Sequence, residues 1–533
     1  MLFSLSIFAA VVFCLFPVIS TADGDLSPAT LTVTADPGQL RQQIEGFGAS
    51  DCWSIQHVGN WPQEKREAIA DLLFSNALDD HGKPTGIGLS HWRFNIGAGS
   101  SRDTNPETRI RDPWRRADTF FNEDFSDYDW HRLEGQRQFL HDAKARGVTL
   151  FTAFANSPPV HMTRNGFAYC DTSVGSTNLR DDSIDDYANF LADVLARFRD
   201  HEQIDFTYVS PFNEPQWDWN GPGQEGCRYS VTDMKPVVDA LSAALHARQL
   251  DTKILVCDSG ELPDLQGLRR QDHNYVHAFF NPDSDTYIGF HDNVAPTISG
   301  HSYFSCWPRA LTRAREGLPA VMAEHNIRFA MTEYCILIPG GLWAPKEYRG
   351  WGNGRDLGIA PALWIARVIH YDLVVAGAIF WEWWLGVSPY NYKDGLVYCD
   401  KDEQDGAFYE SKMLWAMGNF SRFIRPGMHR IAVTRSDNRS HRETEEGLMV
   451  SGYYCTKDQT AVLVFVNYTG QPRMVKPQLR NPPVNPDAMS WIPYVTAGDD
   501  LSRDNLSPRD AIQGNDVFQV PAQSVVTLVS AVS

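Results

Sequence analysis

The 533-residue chain is poor in cysteine, with nine, and has no basic run. Its 47 lysines and arginines are outnumbered by 66 aspartates and glutamates, which leaves a net charge of −19. Such a surface repels phosphate, which excludes nucleic acid and other polyanions as partners and favours a neutral ligand. Histidines and cysteines do not cluster at metal-ligand spacing, so His161 and His301 are not read as a metal site and no metal or cofactor is expected. After the N-terminal segment no stretch reads as apolar for long enough to span a bilayer. Apolar residues themselves are not scarce: 43% are hydrophobic and 21% charged, which excludes disorder and suffices for a large core.

The N-terminus, MLFSLSIFAAVVFCLFPVISTADG, runs apolar through Ile19 into the small residues Ser20 and Ala22. It predicts a signal peptide over 1–22 and secretion, extracellular or periplasmic. A membrane anchor is the alternative, because no Lys or Arg precedes the apolar run. Cleavage removes Cys14 and leaves eight cysteines, an even number that suits disulfides in an oxidising compartment. With the signal gone, no membrane association is expected, and the chain is read as a monomer.

Apolar β-rich runs lie at 43–50, 88–97, 148–155, 205–212, 253–258, 298–304, 328–333 and 377–383. Amphipathic patterns separate them. The clearest is 183–198, where Ile184, Tyr187, Leu191, Val194, Leu195 and Phe198 share a face and Ser183 with Asp186 suits a capping box. Eight strands alternating with helices predict an α/β fold, a (β/α)8 TIM barrel over 43–424. Beyond it, short alternating runs such as GLMVSGYYC, TAVLVFVNY and SVVTLVSAV predict an appended antiparallel β-sandwich side domain over 425–533. The run ATLTVTADP, in an N-terminal segment 23–42, is placed to add a strand to that domain. Asn419, Asn438, Asn467 and Asn505 head glycosylation sequons.

Chemistry in such a barrel sits at the C-terminal strand ends. The fourth predicted strand ends at Asn213 and Glu214, with Phe212, Trp217 and Trp219 around the acid, and the seventh ends at Thr332 and Glu333. Two carboxylates across one barrel mouth suit glycoside hydrolysis, one protonating the leaving oxygen and the other attacking the anomeric carbon or activating water. Flat rings beside them suit stacking on sugar faces. Strand-end acids also cap helices or pair with arginine. Of the remaining acids, Glu382 at the eighth strand end reads as a ligand contact or as an acid orienting Glu333. Asp258 and Glu261 follow the fifth strand, and Asp51 reads as a substrate-hydroxyl acceptor or a turn-stabilising Asp.

Four motifs in order, IEGFGAS, RFNIGAG, NSPPVHMTRNG and NEPQWDW, resemble glycoside hydrolase family 30 over the mature chain. GASDCW and NEPQWDWNGPGQEGC resemble its endo-β-1,6-galactanase branch. The resemblance implies a retaining double displacement with Glu214 as acid/base and Glu333 as nucleophile. It further implies Asn213 on the sugar 2-hydroxyl, Arg93 and Tyr303 holding Glu333, and Trp381 as the floor under the sugar. The implied partner is a polysaccharide or oligosaccharide, a β-1,6-galactan of arabinogalactan side chains, with xylan, β-1,6-glucan and glucosylceramide as rivals. Trp53, Trp217, Trp219, Trp343 and Trp381 would bring rings from several loops to a chain that bends at each exocyclic carbon. A glucuronoxylan enzyme needs a cation instead, for which Arg164 and Arg355 are candidates. His161 stands where much of the family has Trp. An exo-acting enzyme and a carbohydrate-binding protein on a silent barrel are the alternatives.

Overall fold

Parallel strands covered on both faces need apolar side chains on both, which is why the barrel strands read as continuous runs rather than alternating ones. The computed structural model describes residues 30–269, 273–338, 344–480 and 489–532; the predicted signal peptide, Cys14 and Trp343 lie outside them. The first strand, β1 (Leu31–Gln43), belongs to the second domain. The barrel follows as β2 (Gly46–Ser50), β3 (His91–Asn95), β4 (Leu150–Phe154) and β5 (Tyr208–Ser210). It continues as β6 (Lys253–Ser259), β7 (Val294–His301), β8 (Arg328–Glu333) and β9 (Phe380–Ser388). All pair in parallel in that order, and Met331 of β8 paired with Trp381 of β9 closes the ring. β5 ends before its predicted run does because Pro211 follows Ser210 and has no N–H to continue the ladder.

The amphipathic helix Ile184–Arg197 buries Tyr187, Leu191, Val194 and Leu195. Its expected capping box is absent: the Ser183 hydroxyl donates to Asp182 and accepts from Arg180, so it does not cap the helix. A second helix corrects the reading that nothing past the N-terminus is long and apolar enough for a bilayer. Ile359–Ala376, 18 residues, meets that test and is 89% buried. It packs on the second-domain strands Leu448–Tyr454 and Ala461–Asn467, so it is wedged between two domains and buried on nearly every side, its Arg367 and Asp372 paired inside.

The second domain is a mostly antiparallel ten-stranded sheet. β1 runs antiparallel to His429–Arg435 and parallel to Arg473–Leu479, which makes the chain's first strand an inner strand of its last domain. Period-two alternation gives Ala461–Asn467 two apolar faces: Val462, Val464 and Val466 join the barrel's core, while Ala461, Leu463 and Phe465 form the domain's own. Of the four sequon asparagines, Asn419, Asn467 and Asn505 are buried and hydrogen-bonded through their side-chain amides, and Asn438 is the exposed one. The eight described cysteines are free, without the expected disulfides.

Candidate active site

Past the end of β5 the chain turns through Glu214, whose φ of 47° is the left-handed conformation. That conformation costs a non-glycine residue about 1–2 kcal/mol. The Glu214 N–H donates to the Asp258 carbonyl at 2.9 Å and holds the turn. The carboxyl then lies directly over Gly260, where a Cβ would sit 2.9 Å from Glu214 Oε1.

Glu333, the last residue of β8, accepts Arg93 Nη1 at 2.7 Å and the Tyr303 hydroxyl at 2.8 Å. Arg93, fully buried in β3 with its guanidinium over the Phe154 ring, also donates to Asn213 at 3.1 Å and to Asp258 at 3.0 Å. Asp258 accepts further bonds from Ser210 and Thr332, both at 2.7 Å. One guanidinium therefore ties β3, β5, β6 and β8 together beneath the mouth. His301 shares a hydrogen bond of 2.9 Å with Glu214 and lies 3.8 Å from Glu333. Burial holds its pKa down to about 3, so the ring is neutral at neutral pH.

Burial first, then the charge of Glu333, pushes the Glu214 carboxyl well above its usual range. Burial also raises Glu333, to about 7, against the opposing pull of Arg93 and Tyr303. The pair therefore keeps its proton on Glu214 and its charge on Glu333. Atoms of Glu214, His301 and Glu333 lie within 4.8 Å of one another, the one grouping among the described residues with metal-ligand potential. Its closest contact is the Glu214–His301 hydrogen bond, and both acids are engaged in the carboxyl pair.

A cavity of about 500 Å³ opens over the two acids. Asn213, Trp217, Trp219, Trp384 and Tyr392 line it, together with Arg115 and Asp394. Such a volume with apolar walls and a few convergent polar groups suits a small-molecule or sugar site.

Of the residues singled out in the sequence, Glu214, Glu333, Asn213, Tyr303, Trp217 and Trp219 line this cavity, with Arg93 directly beneath. Trp381 lies behind it, fully buried, its indole N–H donating to Asp372; Trp384 stands at the wall instead, edge-on to Trp53. Asp51 is buried among protein donors, the Asn95 N–H and the Gln136 amide, and so is not free to accept a substrate hydroxyl. Glu382 is fully buried beside His91 and has no hydrogen-bond partner among the described residues; it does not touch Glu333. Arg164 pairs with Asp181, and Arg355 packs over Tyr398 and Tyr409. His161 packs between Phe121 and Phe125. Sequence reasoning named Asp258 as an acid after the fifth strand and weighed His301 only as a metal ligand, without placing either beside the acid pair, and it missed Gly260 against Glu214 and Arg115 at the wall. His301 was legible as the strand-end residue two before Tyr303 and Asp258 as a strand-end acid; Gly260 and Arg115 carry no local signal.

The model of O-glycosyl hydrolase family 30 matches residues 30–398. An endo-β-1,6-galactanase of Hypocrea rufa is 31% identical over 246 residues, a match that covers 43% of this chain and only 50% of that relative. Among solved structures, a conserved exported protein from Bacteroides fragilis is 31% identical with a TM-score of 0.82, covering 94% of this chain and 100% of that one. The catalytic domain of a xylanase C from Talaromyces cellulolyticus shares the fold, with a TM-score of 0.65 at 22% identity and coverage of 94% and 100%. With the family's model running from the first strand of the second domain through the whole barrel, this chain belongs to glycoside hydrolase family 30.

Proposed function

We propose that the chain is a secreted, retaining endo-glycosidase that hydrolyses β-1,6-linked galactan. The observation that carries retention is the approach of the two acids, whose oxygens come within 4.8 Å. Retaining pairs stand about 5–5.5 Å apart, whereas inverting pairs keep about 6.5–9.5 Å to admit a water. Glu333 attacks the anomeric carbon while Glu214 gives its proton to the leaving oxygen. Glu214, now a carboxylate, then takes a proton from the water that displaces Glu333. Arg93 and Tyr303 keep the nucleophile charged and aimed, and Asn213 meets the sugar's 2-hydroxyl.

Rescue kinetics test the roles. Glu333→Ala should lose nearly all activity, and azide should restore it with a product of inverted configuration; Glu214→Ala should keep activity on substrates with good leaving groups. Proton NMR of the first-formed anomer should show retention, and an inverted product would sink the assignment of Glu333.

Galactan is supported by the Hypocrea rufa relative and by rings reaching the cavity from separate elements, Trp217 and Trp219 from the loop after β5 and Trp384 from β9. A second reading, a xylan substrate bearing uronates, draws on Arg115, which lines the cavity and has no carboxylate ion-pair partner within 4.0 Å among the described residues. Asp394 shares that cavity, however; burial raises its pKa to about 6 against the pull of Ser388 and Arg115, so at neutral pH the wall offers both signs and favours neutral hydroxyls. A polysaccharide panel separates the two readings. Short galacto-oligosaccharides from β-1,6-galactan, with little action on glucuronoxylan or β-1,3-galactan, are expected; faster cleavage of glucuronoxylan would overturn the galactan reading.

A further inference from the structure

We propose that Cys170 and Cys227 are a modification site, an oxidative cross-link that fastens two loops of the catalytic mouth to each other. Cys170 lies in the loop after β4, and Cys227 lies in the loop that begins at Glu214. The loops already run side by side: the Cys170 N–H donates to the Trp219 carbonyl at 3.0 Å, the Gly221 N–H to the Cys170 carbonyl at 2.9 Å, and the Gly226 N–H to the Ala168 carbonyl at 2.8 Å. The Arg228 N–H points at Cys170 Sγ, 3.4 Å away. Cys227 is the chain neighbour of Arg228, whose N–H reaches Cys170 Sγ, and its own thiol bonds to the Arg228 carbonyl at 3.5 Å, so the two buried cysteines meet at one residue.

The position matters because the second loop carries pocket wall. Trp217, Trp219 and Gln224 all lie between Glu214 and Cys227, and the Trp219 indole N–H donates to the Glu214 carbonyl at 3.0 Å. A bond between residues 170 and 227 removes the freedom of this loop to part from its neighbour.

The thiols are also chemically unequal. Hydrogen bonds from Cys227 and from Arg228 lower the Cys170 thiol below its usual value, whereas burial pushes Cys227 up. Cys170 is thus the thiolate that attacks a disulfide-bearing oxidant. One oxidant sulfur leaves as a thiol and a mixed disulfide forms on Cys170. Cys227, giving up its proton, attacks the Cys170 sulfur and displaces the second oxidant sulfur as a thiol. Two protons and two electrons pass to the oxidant, and one S–S bond replaces its own. Because both sulfurs are buried in the finished fold, exchange takes place while the two loops are paired but not yet packed, when Arg228 already lies beside Cys170 and the oxidant still reaches its sulfur.

The proposal does not depend on which glycan is cut. The full chain, folded with a glutathione redox pair and blocked with an alkylating agent, is digested with trypsin without reduction. Peptide 165–180 should appear joined to peptide 200–228, and separate only after reduction. Recovery of both peptides singly, each alkylated, would overturn the cross-link. Cys170→Ser should leave Cys227 alkylated, and Cys227 joined to any other cysteine would overturn the pairing. Hydrogen–deuterium exchange reads the fastening: amides of 219–228 should exchange several-fold faster in the reduced enzyme than in the oxidised one, and equal rates would overturn that role.

Discussion

The Asp258 carboxylate bonds to neither carboxyl of the pair, yet its charge reaches both. It raises Glu214 and Glu333 alike, although burial is the larger cause for each. The groups facing its carboxylate are Arg93, Ser210 and Thr332, with His301 nearby; the arginine stays charged and the histidine stays neutral, so the residue itself is the variable. Asp258→Asn removes a negative charge and lowers both neighbours. The acid limb of kcat/KM, set by Glu333 gaining a proton, and the alkaline limb, set by Glu214 losing one, should therefore both move to lower pH by about one unit. A variant that loses rate with both limbs unmoved would show a merely structural Asp258. Gly260 offers a steric counterpart. Its backbone tolerates any side chain, but a Cβ would meet Gln216 Nε2 at 2.5 Å and Glu214 Oε1 at 2.9 Å. Gly260→Ala should displace the acid and lower kcat by about a hundredfold. Its thermal midpoint should stay within about 2 °C of wild type, since less than about 1 kcal/mol is at stake. Glu214 and Glu333 were legible because an acid at the end of an apolar strand is conspicuous. Asp258 was legible as such an acid but its role was not, and Gly260 was not legible at all, because both roles lie in what stands across from them.

Among elements, strands and amphipathic helices were legible for the same reason, that burial leaves a periodic trace. The Ile184–Arg197 helix shows it in its buried face, while its cap failed because Arg180 and Asp182 compete for the Ser183 hydroxyl. The helix Ile359–Tyr371 left no periodic trace, since two domains cover it on all sides. Long-range capping is similarly silent in sequence. The short helix Ala310–Arg315 on the barrel is capped by Glu445 from the second domain, which accepts the N–H groups of Arg309 and Thr312 and the Thr312 hydroxyl. Glu445→Ala strands the buried Thr312 N–H and hydroxyl together with the Arg309 N–H and should cost about 2–4 kcal/mol. Glu445→Gln keeps acceptor oxygen and should cost less than half of that. Differential scanning calorimetry of the two variants, with kcat unchanged in both, checks the assignment; equal losses would argue for charge rather than acceptor geometry.

The molecule as a whole is two domains by architecture and one by energetics. β1 brings the first strand of the chain between His429–Arg435 and Arg473–Leu479, so the second domain cannot be removed without stranding it. The helix Lys412–Ser421 is buried at every position. Its Lys412 ammonium donates to the carbonyls of Ala497 and Arg503 and to the Asn505 side chain, so cutting the chain after 424 removes every one of these partners from the helix. The same cut strips Val462, Val464, Val466 and Val525 from a core continuous with the barrel's. Fully burying each such side chain is worth about 1.5–3 kcal/mol, so these four alone approach the 5–15 kcal/mol that keeps a typical domain folded. A chain of residues 30–424 should therefore aggregate on expression, whereas the full chain should unfold in a single calorimetric transition with matching calorimetric and van't Hoff enthalpies. A soluble 30–424 fragment with intact kcat, or two resolved transitions in the full chain, would mean that the barrel holds its active site without the second domain's core.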